Sequence, residues 1–141
     1  MGKKRVIKKG GQDDLRSRGA GRANKKKLDH GILFVNATYN NTMMSVADGR
    51  GNVFLASSAG ALGFSGSKKG TPYAAGKVGE FLAEKAEAMG LKEIDVVVKG
   101  VGAGRESSIR AFVARGVNIS SIKDATPVPF NGPKAPKPRR V

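Results

Sequence analysis

Residues 94–110 read Ile94-Asp95-Val96-Val97-Val98-Lys99-Gly100-Val101-Gly102-Ala103-Gly104-Arg105-Glu106-Ser107-Ser108-Ile109-Arg110. The β-branched run at 94–98 has the composition of a buried strand, and Ile109-Arg110-Ala111-Phe112-Val113 carries apolar residues at helical spacing. Strand, glycine turn and helix start therefore follow in series. Glycines at alternate positions allow φ > 0 and leave backbone N–H groups uncovered, while a helix start adds unpaired N–H groups and a positive dipole end. Such a turn cradles a phosphate; the other reading is a tight turn that needs glycine for geometry alone.

A dinucleotide-binding turn requires Gly-x-Gly-x-x-Gly and an acidic residue about 20 positions later. Here the third glycine falls at Gly-x-Gly-x-Gly, and Asp124 alone is a weak match for the acid. Lys99, Arg105 and Arg110 around the turn fit a polyanion lying across the loop better than one enclosed cofactor, so no cofactor and no small-molecule substrate are expected.

Reading back towards the N-terminus, 31–37 (Gly-Ile-Leu-Phe-Val-Asn-Ala) and 42–47 have strand character, joined at Tyr39-Asn40-Asn41. Asp48-Gly49-Arg50-Gly51 has hairpin chemistry, and 52–57 returns as a third strand. The glycine-rich stretch 58–70 contains Gly63-Phe64-Ser65-Gly66-Ser67-Lys68-Lys69 and leads into Thr71-Pro72, an N-cap and first helical position. Apolar residues then recur at Ala75, Val78, Phe81, Leu82 and Met89 before Gly90 ends the helix. The spacing of glycine, lysine and hydroxyl residues does not make a P-loop. Two loops thus offer amides and cations just ahead of helices.

Reading forward, a second helix is expected from about Ser107 to Arg115 with Gly116 as terminator, then a fifth strand over 117–123. The predicted fold is α/β: a mixed five-stranded sheet, a three-strand antiparallel meander followed by two strand–helix alternations, with helices on both faces. Basic extensions flank it. The expected division is a disordered basic arm at 1–29, a globular RNA-binding domain at 30–124 and an extended proline-rich arm at 125–141.

Charge supports that division. The 141 residues carry 26 Lys plus Arg against 11 Asp plus Glu, a net charge of +15, with no cysteine. Residues 1–30 hold 11 basic and 3 acidic side chains, residues 125–141 hold 4 basic and none acidic, and the middle is nearly balanced. Cationic arms on a small body point to nucleic acid. No apolar run approaches the roughly 18–20 residues that span a bilayer, and no hydrophobic leader opens the chain, so an intracellular protein without a membrane partner is expected. Lack of cysteine is consistent with this and removes thiol and cysteine–zinc chemistry.

Enzymatic readings fare poorly. Two-metal nuclease chemistry needs carboxylates converging from neighbouring strands. The first predicted strand has none, Asp48 lies in a turn, Asp95 and Asp124 sit on separate strands, and Glu80, Glu84 and Glu87 fit a solvated helix face. His30, the sole histidine, reads as a surface or RNA-contacting residue. Phe34 and Phe54 read as core, so backbone and shape readout are expected before base stacking. An architectural DNA- or RNA-binding protein is one reading within the binding class.

Several ordered motifs resemble one family, the universal small-subunit ribosomal protein numbered eleven, in its bacterial or organellar form. They are Asn40-Asn41-Thr42, the stretch from Gly63 to Ala75, Val98-Lys99-Gly100, Gly104-Arg105-Glu106-Ser107 with Ile109-Arg110, Asp124-Ala125-Thr126-Pro127, Asn131-Gly132 and Arg139-Arg140-Val141. The resemblance implies a ribonuclease H-like fold without the nuclease site, on the platform of the small subunit. It implies contact with small-subunit rRNA near the messenger exit channel and the Shine-Dalgarno duplex. The implied neighbours are the seventh and eighteenth small-subunit proteins and, in lineages that carry it, the twenty-first, with mRNA close by. Localisation follows as the ribosome, cytoplasmic or organellar.

The RNA-binding residues expected from motifs and resemblance together are Lys25, Lys26 and Lys27; Asn40, Asn41 and Thr42; and Gly66, Ser67, Lys68, Lys69 and Thr71. To these the central stretch adds Lys99, Gly100, Gly102, Gly104, Arg105, Glu106, Ser107 and Arg110, and the C-terminal arm adds Asn131, Gly132, Lys134, Lys137, Arg139 and Arg140. Three departures stand out. Val101 and Ala103 replace the family's usual prolines, which predicts a more flexible central loop. Phe130 and Pro133 stand where the family often has His and Cys. Asn131-Gly132 resembles the pair prone to isoaspartate in this family, which makes Asn131 the expected candidate for that modification.

Overall fold

Alternation along the central strands decides the layering. A computed structural model describes residues 27–138 and residue 140. It contains β1 (His30–Ala37), β2 (Thr42–Ala47), β3 (Val53–Ser58), a short 3-10 turn (Gly66–Gly70), α1 (Pro72–Ala88), β4 (Glu93–Lys99), α2 (Gly104–Val113) and β5 (Asn118–Asp124). The strands form one sheet in the order β3-β2-β1-β4-β5. Both β1–β2 and β2–β3 pair antiparallel, whereas β1–β4 and β4–β5 pair parallel. This is the expected mixed five-stranded α/β sheet.

Leu33 and Val35 of β1, Met44 and Val46 of β2, and Ile94, Val96 and Val98 of β4 are each no more than 3% exposed. They share one core cluster with Val78 and Leu82 of α1 and Phe112 of α2. The intervening Ile32, Phe34, Asn36, Asp95 and Val97 are only half-buried, because period-2 alternation turns them to the other face.

Both helices therefore cover the same face, and the expectation of helices on both faces is corrected. They pack on each other at Gly79, where a Cβ would lie 2.5 Å from the Ser108 carbonyl oxygen. Handedness gives the reason: the crossovers from β3 to β4 and from β4 to β5 advance across the sheet in the same direction. Right-handed connections running the same way deposit their helices on the same side.

Local chemistry fixes the helix ends. The Thr71 hydroxyl accepts from the Ala74 amide at 3.3 Å and donates to the Lys68 carbonyl at 2.7 Å, with Pro72 in the first turn. Gly90 (φ +81) and Gly116 (φ +93) turn the chain out after α1 and α2. Helix α2 starts at Gly104, ahead of the expected Ser107, and stops at Val113. A Cβ on Gly104 would lie 2.4 Å from Thr42 Oγ1 and 2.6 Å from Ala75 Cβ. The helix begins where its backbone presses on β2 and α1, a position only glycine fits.

At the N-terminal side, the Asp29 carbonyl accepts from the amides of Lys92 and Glu93 at 3.1 and 3.2 Å, and Leu28 packs on the core. The basic segment 1–26, with Lys25 and Lys26, lies outside the described residues, as do Arg139 and Val141. After β5 the Ala125 amide donates to the Val98 carbonyl at 2.9 Å, and the described residues beyond form neither helix nor strand. Among the described residues no helix is long and apolar enough to cross a membrane.

Candidate nucleic-acid interface

Strand direction gathers the expected motifs at one end of the sheet. β1, β3, β4 and β5 all run towards it, and β2 starts from it. The β1–β2 turn, the loop after β3 with its 3-10 turn, the β4–α2 loop and the start of the C-terminal arm consequently emerge together. The carboxyl ends of parallel strands are where open α/β sheets place their ligand sites.

The β1–β2 turn is the hub. Thr38 builds it: its amide donates to the Asn41 carbonyl at 2.9 Å, its hydroxyl donates to the same carbonyl at 3.1 Å, and the Asn41 amide donates back to that hydroxyl at 3.1 Å. Both glycine loops press onto this turn. A Cβ on Gly70 would lie 2.3 Å from the Tyr39 carbonyl oxygen, one on Gly100 2.2 Å from that of Ala37, and one on Gly102 2.2 Å from that of Thr38. The Gly102 amide also donates to the Ala37 carbonyl at 2.8 Å. These glycines thus serve backbone-to-backbone approach, the geometric reading left open by the sequence, and the Gly102 amide is spent inside the protein. Gly66, by contrast, has open space where its Cβ would be and φ +59.

Arg105 ties three pieces of this end together. Its guanidinium donates to the Gly100 carbonyl, to the Thr126 hydroxyl at 3.2 Å and to Asp124 Oδ2 at 2.6 Å. Asp124 also accepts from the Thr126 amide at 2.9 Å and the Thr126 hydroxyl at 2.6 Å. Hydrogen bonds from Thr126 and then from Arg105 hold the Asp124 carboxyl well below the usual carboxylate range. The cation expected to neutralise phosphate is thus engaged as an internal clamp on loop, β5 and arm. The same clamp fixes the central loop at Gly100, its first glycine.

The remaining expected residues divide by placement. Lys68, Lys99, Asn40, Gly66 and Ser67 are exposed at this end and Lys69 is half-buried. Arg110 pairs with Glu106 on the exposed surface of α2. Thr42 is 0% exposed and wedged against Gly104, so it acts through packing rather than contact. The Oδ1 of Asn41 and the Oγ of Ser107 are buried without a hydrogen-bond partner. Asn131, Gly132, Lys134, Lys137 and Arg140 lie exposed along the arm. Lys27 is not brought here: its neighbour Leu28 bonds to Met89 at the opposite end of the sheet.

Two contributors escaped the sequence reading. Thr38 had a local signal, since a threonine three residues before Asn41 fits a side-chain-to-backbone turn. Gly70 had none, because its need for glycine arises from a chain segment 31 positions away. Asp95 stays apart from this end, with His30 Nε2 3.2 Å from its Oδ2 at the start of β1. Among the described residues no group of three or more His, Asp or Glu gathers as a metal site.

A family model described as ribosomal protein S11 matches residues 31–140, the whole sheet with both helices and most of the arm. The chain belongs to the ribosomal protein S11 family, whose members are structural, rRNA-binding constituents of the small ribosomal subunit.

Proposed function

We propose that this protein binds small-subunit rRNA on the platform, near the messenger exit channel and the Shine-Dalgarno duplex, and does no catalysis. The observation that carries the reading is the convergence of both glycine loops on the β1–β2 turn, with the start of the C-terminal arm tied to the central loop by Arg105, at one end of the sheet. RNA lies across that end. Lys68, Lys69, Lys99 and Arg110, continued along the arm by Lys134, Lys137, Arg139 and Arg140, neutralise its phosphates, with Asn40, Ser67, Asn131 and exposed loop amides adding directed hydrogen bonds. Arg105 acts as the clamp that aims loop and arm. The seventh and eighteenth small-subunit proteins, and the twenty-first where present, are its neighbours, and mRNA passes close by.

About eight neutralised phosphates predict a fall in affinity of roughly a thousand- to a hundred-thousand-fold between 50 and 200 mM salt. Equilibrium binding of the full chain to purified small-subunit rRNA across that range tests this. A shallow salt slope would remove phosphate neutralisation as the mechanism. Equal affinity for duplex DNA would replace the reading with an architectural nucleic-acid-binding role.

A further inference from the structure

We propose that Phe130 is a base-stacking residue, an aromatic plate that takes an unpaired nucleobase of the RNA bound by the C-terminal arm. Phe130 is 97% exposed, the most exposed of the large hydrophobic side chains among the described residues. A ring held this far into water makes almost no packing contact within the chain, so its use lies with a partner.

The backbone around it is shaped to hold it out. Pro127 and Pro129 precede it and Pro133 follows, which fixes φ at three nearby positions and confines the residues before each proline to extended geometry. Asn131 takes φ 52, the left-handed region, and turns the chain. Gly132 then comes back against Pro129, where a Cβ would lie 2.8 Å from Pro129 Cβ. Phe130 therefore sits at the apex of a short, restrained turn, and little conformational freedom remains to be lost on binding.

Its surroundings select the partner. Residues 125–141 carry Lys134, Lys137, Arg139 and Arg140 and no acidic residue. An exposed ring on a segment whose charges are all cationic fits single-stranded nucleic acid, with the π-face against a base and the cations along the phosphates. A protein pocket would use the ring but not the uniform charge. The mode adds base contact to a surface otherwise reading backbone and shape, and it rests on the proposed rRNA-binding function.

The test is equilibrium binding of the full-length protein to purified small-subunit rRNA at fixed salt, comparing wild type with Phe130→Ala, Phe130→Leu and Phe130→Trp. The side chain is nearly all in solvent, so these substitutions leave the fold intact. Stacking predicts that Ala weakens binding about 5- to 100-fold, that Leu weakens it nearly as much, and that Trp retains wild-type affinity. Ultraviolet irradiation of the wild-type complex should also yield an RNA adduct at Phe130. Unchanged affinity for Phe130→Ala overturns the proposal, and Leu binding like Phe overturns it in favour of plain apolar contact. Normal RNA affinity together with loss of a neighbouring protein from the assembled subunit places Phe130 in a protein interface and also overturns it. Failure of the wild-type chain to bind the RNA is a different result, and it removes the underlying function.

Discussion

Replacing single glycines with alanine separates two reasons for glycine that the loops combine. Gly63 has φ +97 and open space where a Cβ would stand, so Gly63→Ala meets backbone strain alone, about 1–2 kcal/mol. Gly102 has no positive φ, but its Cβ would lie 2.2 Å from the Thr38 carbonyl oxygen, and contacts under 3.0 Å force a shift. Loop or turn must therefore part by nearly an ångström, stretching the 2.8 Å bond from the Gly102 amide to Ala37. Overpacking of this kind costs about 1–3 kcal/mol. Gly100 meets both penalties, with φ +96 and a Cβ 2.2 Å from the Ala37 oxygen, so Gly100→Ala is expected to lose about 3 kcal/mol or more. Urea unfolding followed by circular dichroism reads all three, and unchanged slopes would show that stability alone has moved. The expected order of loss is Gly100→Ala largest, with Gly102→Ala and Gly63→Ala smaller. Gly102→Ala matching wild type within about 0.5 kcal/mol would refute the packing of the loop on the β1–β2 turn.

Arg105→Ala should leave the sheet intact while raising amide hydrogen exchange at 100–102 and 125–126, because its guanidinium ties those segments together; unchanged exchange there would remove the clamp. Arg105→Lys should not restore protection, since one ammonium cannot reproduce a planar fork meeting three acceptors. Asp124 has its folded pKa depressed by Thr126 and Arg105. Its contribution is therefore full above the unfolded value of about 3.9, declines progressively as pH falls below that value, and is gone once pH has fallen through the lower folded value. The stability gap between wild type and Asp124→Asn should persist from pH 7 to pH 5 and shrink in strong acid, and a gap unchanged at pH 2 would contradict the assignment. Phe112→Ala, which empties a 0% exposed site between α2 and the sheet, should cost about 3–5 kcal/mol in the same urea assay, and a loss below about 1 kcal/mol would deny Phe112 its place in the core.

Local signals carried much of the fold. β2 occupies Thr42–Ala47 as its strand character predicts, Thr71 and Pro72 start α1, and Gly90 and Gly116 end the helices through positive φ. Each of these depends on neighbours a few residues away. What local signals did not reveal depended on distant segments. The side on which the helices lie follows from strand order combined with crossover handedness, and alternation alone fixes neither. Gly100 and Gly102 looked like an open phosphate cradle because a sequence shows that glycine is present, not which carbonyl presses against it. Arg105 looked like a free cation for the same reason, its acceptor Asp124 lying 19 positions on. Thr42 belonged to a motif expected to touch RNA, yet burial behind Gly104 confines it to packing.

The central claim is that RNA covers the end of the sheet where β1, β4 and β5 finish. Lysine acetylation of the free protein and of the same protein in assembled small subunits, quantified by mass spectrometry, tests it most directly. Lys68, Lys69 and Lys99 mark that end, whereas Lys92 marks the opposite end, at the start of β4. Assembly is expected to protect the first three while leaving Lys92 reactive. Protection of Lys92 with Lys68, Lys69 and Lys99 still open would place the RNA at the wrong end of the sheet and contradict the account.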